Sequence, residues 1–153
     1  MMKINGFVQG AGDVSTTKHY NPGKIYQDED TDINYQYVYA STHISAYFGV
    51  EIYSMVAGTT CKVKKAATTS TTMGDGVPQV ALPAGYYGFV QKTGPAEGYV
   101  ASSVAAGSVL QNSASTAGLF QAKTSTIAQG VARALETGLG ASTTTGIQLM
   151  YPC

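Results

Sequence analysis

The chain has 153 residues, enough for one domain that buries roughly 70% of its unfolded surface and folds without staples. Only 12% of it is charged, against about 25% in an ordinary soluble domain, so its surface is mostly neutral. Nine basic residues balance nine acidic ones, six of each before residue 66 and three of each after it. Neither half carries the basic footprint that phosphate-dominated nucleic-acid binding needs. Net charge near zero weakens self-repulsion, a liability for a free monomer and less of one for a subunit held in an assembly.

The opening MMKINGFVQGAGD lacks the apolar core of a signal peptide, and no window reaches the 18 or more apolar residues of a spanning helix. A soluble protein made inside a cell is expected, and in that compartment Cys61 and Cys153 are expected as free thiols. Residues 1–24 are turn-rich and lack regular periodicity, which reads as an extended arm that needs a surface to lie on.

Residues 25–65 form a tyrosine-rich region. Seven of the eleven tyrosines fall between Tyr20 and Tyr53, and Tyr35, Tyr37 and Tyr39 stand at period two, which puts their rings on one face of a strand. The polar run Gln27–Asp32 joins Lys24-Ile25-Tyr26 to that strand as a β-hairpin. HISAYFGVEIYSM, residues 43–55, is dense enough in apolar residues for a helix, yet mostly β-branched or aromatic, and a strand is favoured. Residues 66–77 contain a Thr/Ser/Ala run that cannot bury enough apolar area to order itself, so a long loop or linker is expected.

Residues 78–153 read as short strands with regular turns: 79–82, 86–92, 96–101, 108–112, 119–122, 129–135 and 147–151. Thr93–Pro95 is expected to reverse the chain, making 86–92 and 96–101 an antiparallel pair. For 127–136, a strand and a single helical turn both stay open. The fold expected is all-β, a small barrel or sandwich of short antiparallel strands behind an N-terminal arm and a tyrosine-rich hairpin, one globular domain in all.

The motifs that carry chemistry are weak. Asp28, Asp30 and Asp32 occupy the first, third and fifth places of a calcium-type loop, but Ile33 stands where the sharp turn needs Gly and Tyr39 where a bidentate Glu is required. No metal, cofactor or catalytic residues are expected. The two histidines, His19 and His43, sit in no recognisable constellation, and no nucleophile elbow, zinc pair or phosphate loop occurs. Lys62, Lys64 and Lys65 around Cys61 would favour a thiolate, although lysines on a strand edge more often block pairing. Tyr35, Tyr37 and Tyr39 serve either a sheet face packed within the chain or an interface, and Phe7 and Tyr20 join them as candidate interface residues. As a stacking platform the stripe would instead suit a carbohydrate; single-stranded nucleic acid would need basic residues, and none lies between Ile25 and Lys62.

From Tyr86 onward, GYYGFVQKTGPAEGYVASSVAAGSVLQNSASTAGLFQ, IAQGVARALETG and GIQLMYPC together resemble the capsid decoration or cement proteins of tailed phages. The upstream IYQDEDTDINYQYVYASTHISAYFGVEIY is similar to the acidic turn and Y-x-Y-V hairpin of such proteins. The resemblance implies a β-tulip-like fold and a non-enzymatic virion subunit. Such a subunit is made in the host cytoplasm and placed on the exterior of an icosahedral capsid. It also implies a homotrimer that clamps neighbouring copies of the major capsid protein, with no nucleic-acid or membrane partner. A tail, fibre or spike component, or an adhesive carbohydrate-binding domain, are the alternatives.

Overall fold

The computed structural model describes residues 2–4, 7–9, 12–28, 30–56, 58–68, 75–102, 104–124, 131–137 and 142–150. Among these the chain is all-β with no helix. Two short strands open it, β1 (Met2–Ile4) and β2 (Phe7–Gln9), which pair with each other in antiparallel register. The arm read from the sequence thus contains a hairpin, formed across a two-residue connection too short for periodicity to reveal.

A five-stranded sheet follows, built from β3 (Ile25–Gln27), β4 (Asn34–Ala40), β5 (Val50–Val56), β6 (Thr60–Lys65) and β7 (Tyr87–Gln91). β4 is its centre. One of its edges pairs with β7 from Tyr35 to Tyr39; the other pairs first with β3 and then, in parallel, with β6 at Tyr39 and Ala40. The expected β3–β4 hairpin is present, turned by a left-handed Asp32. Residues 43–55 divide: Ile44 makes a single bridge to Leu82, Tyr47 takes a left-handed backbone, and only Val50 onward is strand. β5 bulges between Ile52 and Ser54 and forms the outermost strand.

The second sheet closes on itself. β8 (Thr93–Val100), β9 (Val109–Asn112), β10 (Phe120–Ala122), β11 (Ala132–Ala134) and β12 (Thr143–Met150) form a barrel in the order β10-β8-β12-β11-β9, and β9 pairs with β10 to complete it. Its longest ladder joins β8 to β12 over eight residue pairs, Thr143–Val100 to Met150–Thr93. Closure removes the unpaired edges that an open sheet of short strands would expose. Along β12 the alternation is regular, with Thr145, Ile147 and Leu149 inside. Leu110, Phe120, Val100 and Ala132 meet them in the barrel core. A separate core under the sheet gathers Val38, Ile44, Val50, Val63, Leu82 and Val90.

Four expectations are corrected. The antiparallel pair of 86–92 with 96–101 does not form: β7 pairs with β4, whereas β8 pairs with β12 and β10. Thr93–Pro95 is not a reversal but the start of β8; a left-handed Gly94 redirects the chain, and the Gln91 amide holds the bend by donating to the carbonyls of Thr93 (2.9 Å) and Pro95 (2.7 Å). Glycine and proline mark a bend in either case, and only the partner strands, distant in sequence, decide between bend and hairpin. Residues 79–82 contribute the Leu82 bridge and no strand. The final strand starts at Thr143, because its threonines supply β-branched residues opposite β8 in a segment read as turn. The strand alternative holds for Ala132–Ala134, while 127–130, most of the Thr/Ser run (69–74) and Cys153 lie outside the described residues.

Candidate interaction surface

Alternation along β4 sends Tyr35, Tyr37 and Tyr39 to one face and Gln36, Val38 and Ala40 to the other, as the period-two spacing predicts. The structure then treats the three rings differently. Tyr35 and Tyr37 are buried, 8% and 2% exposed, in an aromatic cluster with Tyr26 and Phe89. Tyr20, arriving from the loop before β3, covers that cluster edge-on, with ring centroids 5.5 Å from Tyr26 and 5.1 Å from Tyr37. The phenol of Tyr37 accepts a hydrogen bond from the His19 amide at 3.2 Å, and that of Tyr26 accepts one from Asn21 at 3.3 Å. Burial pushes the Tyr35 and Tyr37 phenols above their ordinary pKa, with Asp28 adding to the rise at Tyr35; Tyr20 is raised by burial and then by Asp13.

Tyr35 and Tyr37 therefore present no flat face to a sugar. Tyr39 alone of the stripe stays half-buried and reaches the open end of the sheet. There it stands abreast of Lys62 on one side and Tyr87 on the other, its ring centroid 5.0 Å from that of Tyr87. With Thr59 and Thr60 they line a cleft of about 210 Å³. The side chain of Phe7 lies outside what the structure describes.

Next to this cleft, the β5–β6 hairpin carries features that sequence reasoning missed. Tyr53, Met55 and Val56 are 47%, 59% and 58% exposed, and they sit together on the outermost strand. Met55 also walls a notch of about 320 Å³ with Asn21, Gly23, Lys24 and Gly58. The signal available in the sequence was YSMVAGTT, an apolar run interrupted by a turn glycine, which the helix-or-strand ambiguity of 43–55 absorbed.

The lysines around Cys61 do not activate it. Cys61 is free and fully buried, and burial first, then Asp75, pushes its thiol up to about 11 against a smaller opposing pull from Lys92. Lys64 instead pairs with Glu51 at 3.0 Å, and Lys65 lies 4.9 Å over the Phe48 ring. The acidic run is a turn: the Asp28 carboxylate accepts from the Asp30 amide (3.0 Å) and the Thr31 hydroxyl (2.9 Å), so its oxygens are spent on the backbone reversal. Among the described residues no three potential ligands cluster to hold a metal. His19 Nε2 lies 3.1 Å from Ser15 Oγ at the surface, and His43 is exposed.

These features define a small all-β protein, a closed five-stranded barrel joined to a five-stranded sheet, with three of the five large hydrophobic side chains exposed among the described residues on the outermost strand of that sheet. No family model matches the sequence, and no curated protein matches it. Among solved structures, the chain is similar to the N base of the head fibre gp8.5 of bacteriophage phi29, with 14% identity and a TM-score of 0.59 over 77% of this chain and 94% of that one. At that identity the likeness is one of fold.

Proposed function

We propose that this chain is a structural protein of a tailed-phage virion, a non-enzymatic decoration or cement subunit carried on the outside of the head. The observation that carries the reading is the fold shared with a phage head-fibre base, to which the decoration-like sequence pattern adds independent support. In this role it binds the major capsid protein, acts as a homotrimer, and needs neither nucleic acid nor membrane, in keeping with its locally balanced charge. Repeated display on a lattice lets contacts that are weak one by one sum to firm attachment.

A second reading, the base of a head fibre, is favoured by the coverage of 94% of that base. Particle imaging separates the two by copy number: hundreds of copies spread over the shell mark a decoration subunit, a few copies under projecting fibres mark a base. For the decoration role, heads assembled without the protein are expected to release DNA at lower temperature than complete heads. Equal release temperatures would remove the clamping mechanism.

A further inference from the structure

The charge of this chain is balanced in sum but not in space. Four of its nine acidic residues fall within residues 28–32, at the β3–β4 turn, and three of its nine basic ones fall within residues 62–65, on β6. The two groups stand at opposite ends of β4: the turn precedes Asn34, whereas Lys62 lies abreast of Tyr39. Five strand steps separate them, about 15–20 Å, roughly twice the screening length at physiological salt. Within one copy they are too far apart to neutralise each other.

Each end is also open. At the acidic end Asp30 and Asp32 are exposed, Asp32 accepting a bond from the Gln27 amide at 3.0 Å, while Asp28 is occupied by the turn. At the basic end Lys64 has Glu51, whereas Lys62 and Lys24 have no carboxylate partner among the described residues, Lys24 lying 5.3 Å over the Tyr26 ring. Lys24 belongs to this end because it walls the notch beside Met55.

The basic end is where the apolar patch lies. Tyr53, Met55 and Val56 are three of the five large hydrophobic side chains left exposed among the described residues, and all three sit on β5. Met55 stands opposite Cys61 and Val56 opposite Thr60, so the exposed side chains flank this strand on both faces, and apolar groups along an outermost strand mark association surfaces rather than free surface. From Val50 to Ile52 the outer edge of β5 is capped, by bonds between Val50 and the backbone of Asp75 and Gly76 and by the Asp75 carboxylate at the Ile52 amide. Among the described residues, none caps Tyr53–Val56 in this way.

We propose that the β5–β6 hairpin is the surface on which copies of this chain associate head to tail, its lysine-rimmed apolar patch receiving the acidic β3–β4 turn of a second copy. A second copy is the occupant because the complementary charge is carried by this same chain, at the far end of the same sheet, and because a neutral chain adds no net repulsion to the contact. A contact between two different patches repeats around a ring until the rotation closes, which satisfies both ends of every copy.

The test uses the purified chain alone, by native mass spectrometry and by sedimentation across a concentration series. The wild-type chain is expected to form a closed oligomer that weakens with added salt. Lys24→Glu with Lys62→Glu is expected to weaken association at least about tenfold, and so is Asp30→Lys with Asp32→Asn. An equimolar mixture of these two variants is expected to form a heterodimer, because one keeps its acidic end and the other its basic end. Val56→Glu, at a position exposed enough to leave folding intact, is expected to abolish association with an unchanged melting temperature. A wild-type chain that stays monomeric, an oligomer indifferent to Val56→Glu, or a mixture of the two charge variants that forms no heterodimer while both are folded would each overturn the proposal. Because no capsid is present, such a failure leaves the head-surface location standing, although a monomeric chain would also remove the homotrimer, and failure of the head assay leaves this proposal standing.

Discussion

Gly98 is a glycine because Ile147 stands where its side chain would be. A Cβ built there would collide with Ile147 Cδ1 and lie 3.1 Å from its Cγ1, and Ile147 is itself fully buried in the close-packed barrel core. Its backbone is not left-handed, so the constraint is purely one of volume. Gly98→Val is expected to cost about 1–3 kcal/mol, seen as a melting temperature lower by roughly 2–12 °C. Adding Ile147→Val, which deletes Cδ1, should recover part of that loss. If Gly98→Val melts like the wild type, the packing account of this position is wrong. Nothing in the sequence distinguishes Gly98 from the turn glycines around it, since its neighbour in space lies some fifty residues away.

At the scale of the element, β4 is where reading and structure meet most closely. Period two was legible and correctly placed three tyrosines on one face, but which rings end up covered depends on Tyr20 and on Phe89 of β7, whose arrival no local pattern announces. The same limit explains the misread β7–β8 segment: strand positions are written locally in side-chain alternation, while partners are chosen by the distant cores they fill. The β3–β4 hairpin was legible because its turn and both strands are contiguous. The outermost β5, by contrast, was blurred by apolar residues that the sheet leaves in solvent. The cluster makes a graded prediction. Tyr37→Ala should cost about 3–5 kcal/mol, Tyr37→Phe about 1 kcal/mol for the bond from the His19 amide, and Tyr39→Ala within about 1 kcal/mol. Denaturant unfolding measures all three, and equal losses at Tyr37 and Tyr39 would contradict the division of the stripe into covered and open parts.

For the whole molecule, the buried acidic protons point one way. Cys61 ionises near 9.0 when exposed and at about 11 in the fold, and the phenols of Tyr20, Tyr35 and Tyr37 are likewise raised by burial from 10.0. Above pH 9 the unfolded chain therefore gives up protons that the folded chain still holds, so stability falls as pH rises. The thiol contribution is complete below its unfolded value and is lost between 9.0 and about 11; the phenol contributions are lost above 10.0. The denaturation midpoint is expected to be flat from neutral pH to about 9 and to decline beyond it, less steeply in Cys61→Ala. A midpoint that holds through pH 11 would refute the assignment. The all-β class was legible from the rhythm of turns and β-branched residues. Barrel closure was not, because it rests on the single parallel pairing of Phe120 with Val100 and on a β12 that reaches back along the whole of β8.

The passage from β7 to β8 has a mechanical meaning. One residue, Lys92, separates a strand zipped into the sheet from a strand zipped into the barrel. A pull that separates sheet from barrel is thus carried first by covalent bonds and then by two ladders, β7 with β4 and β8 with β12, rather than by side-chain adhesion alone. The two halves are spliced like timbers sharing one tenon, and a load placed on the sheet is delivered directly to the longest seam of the barrel.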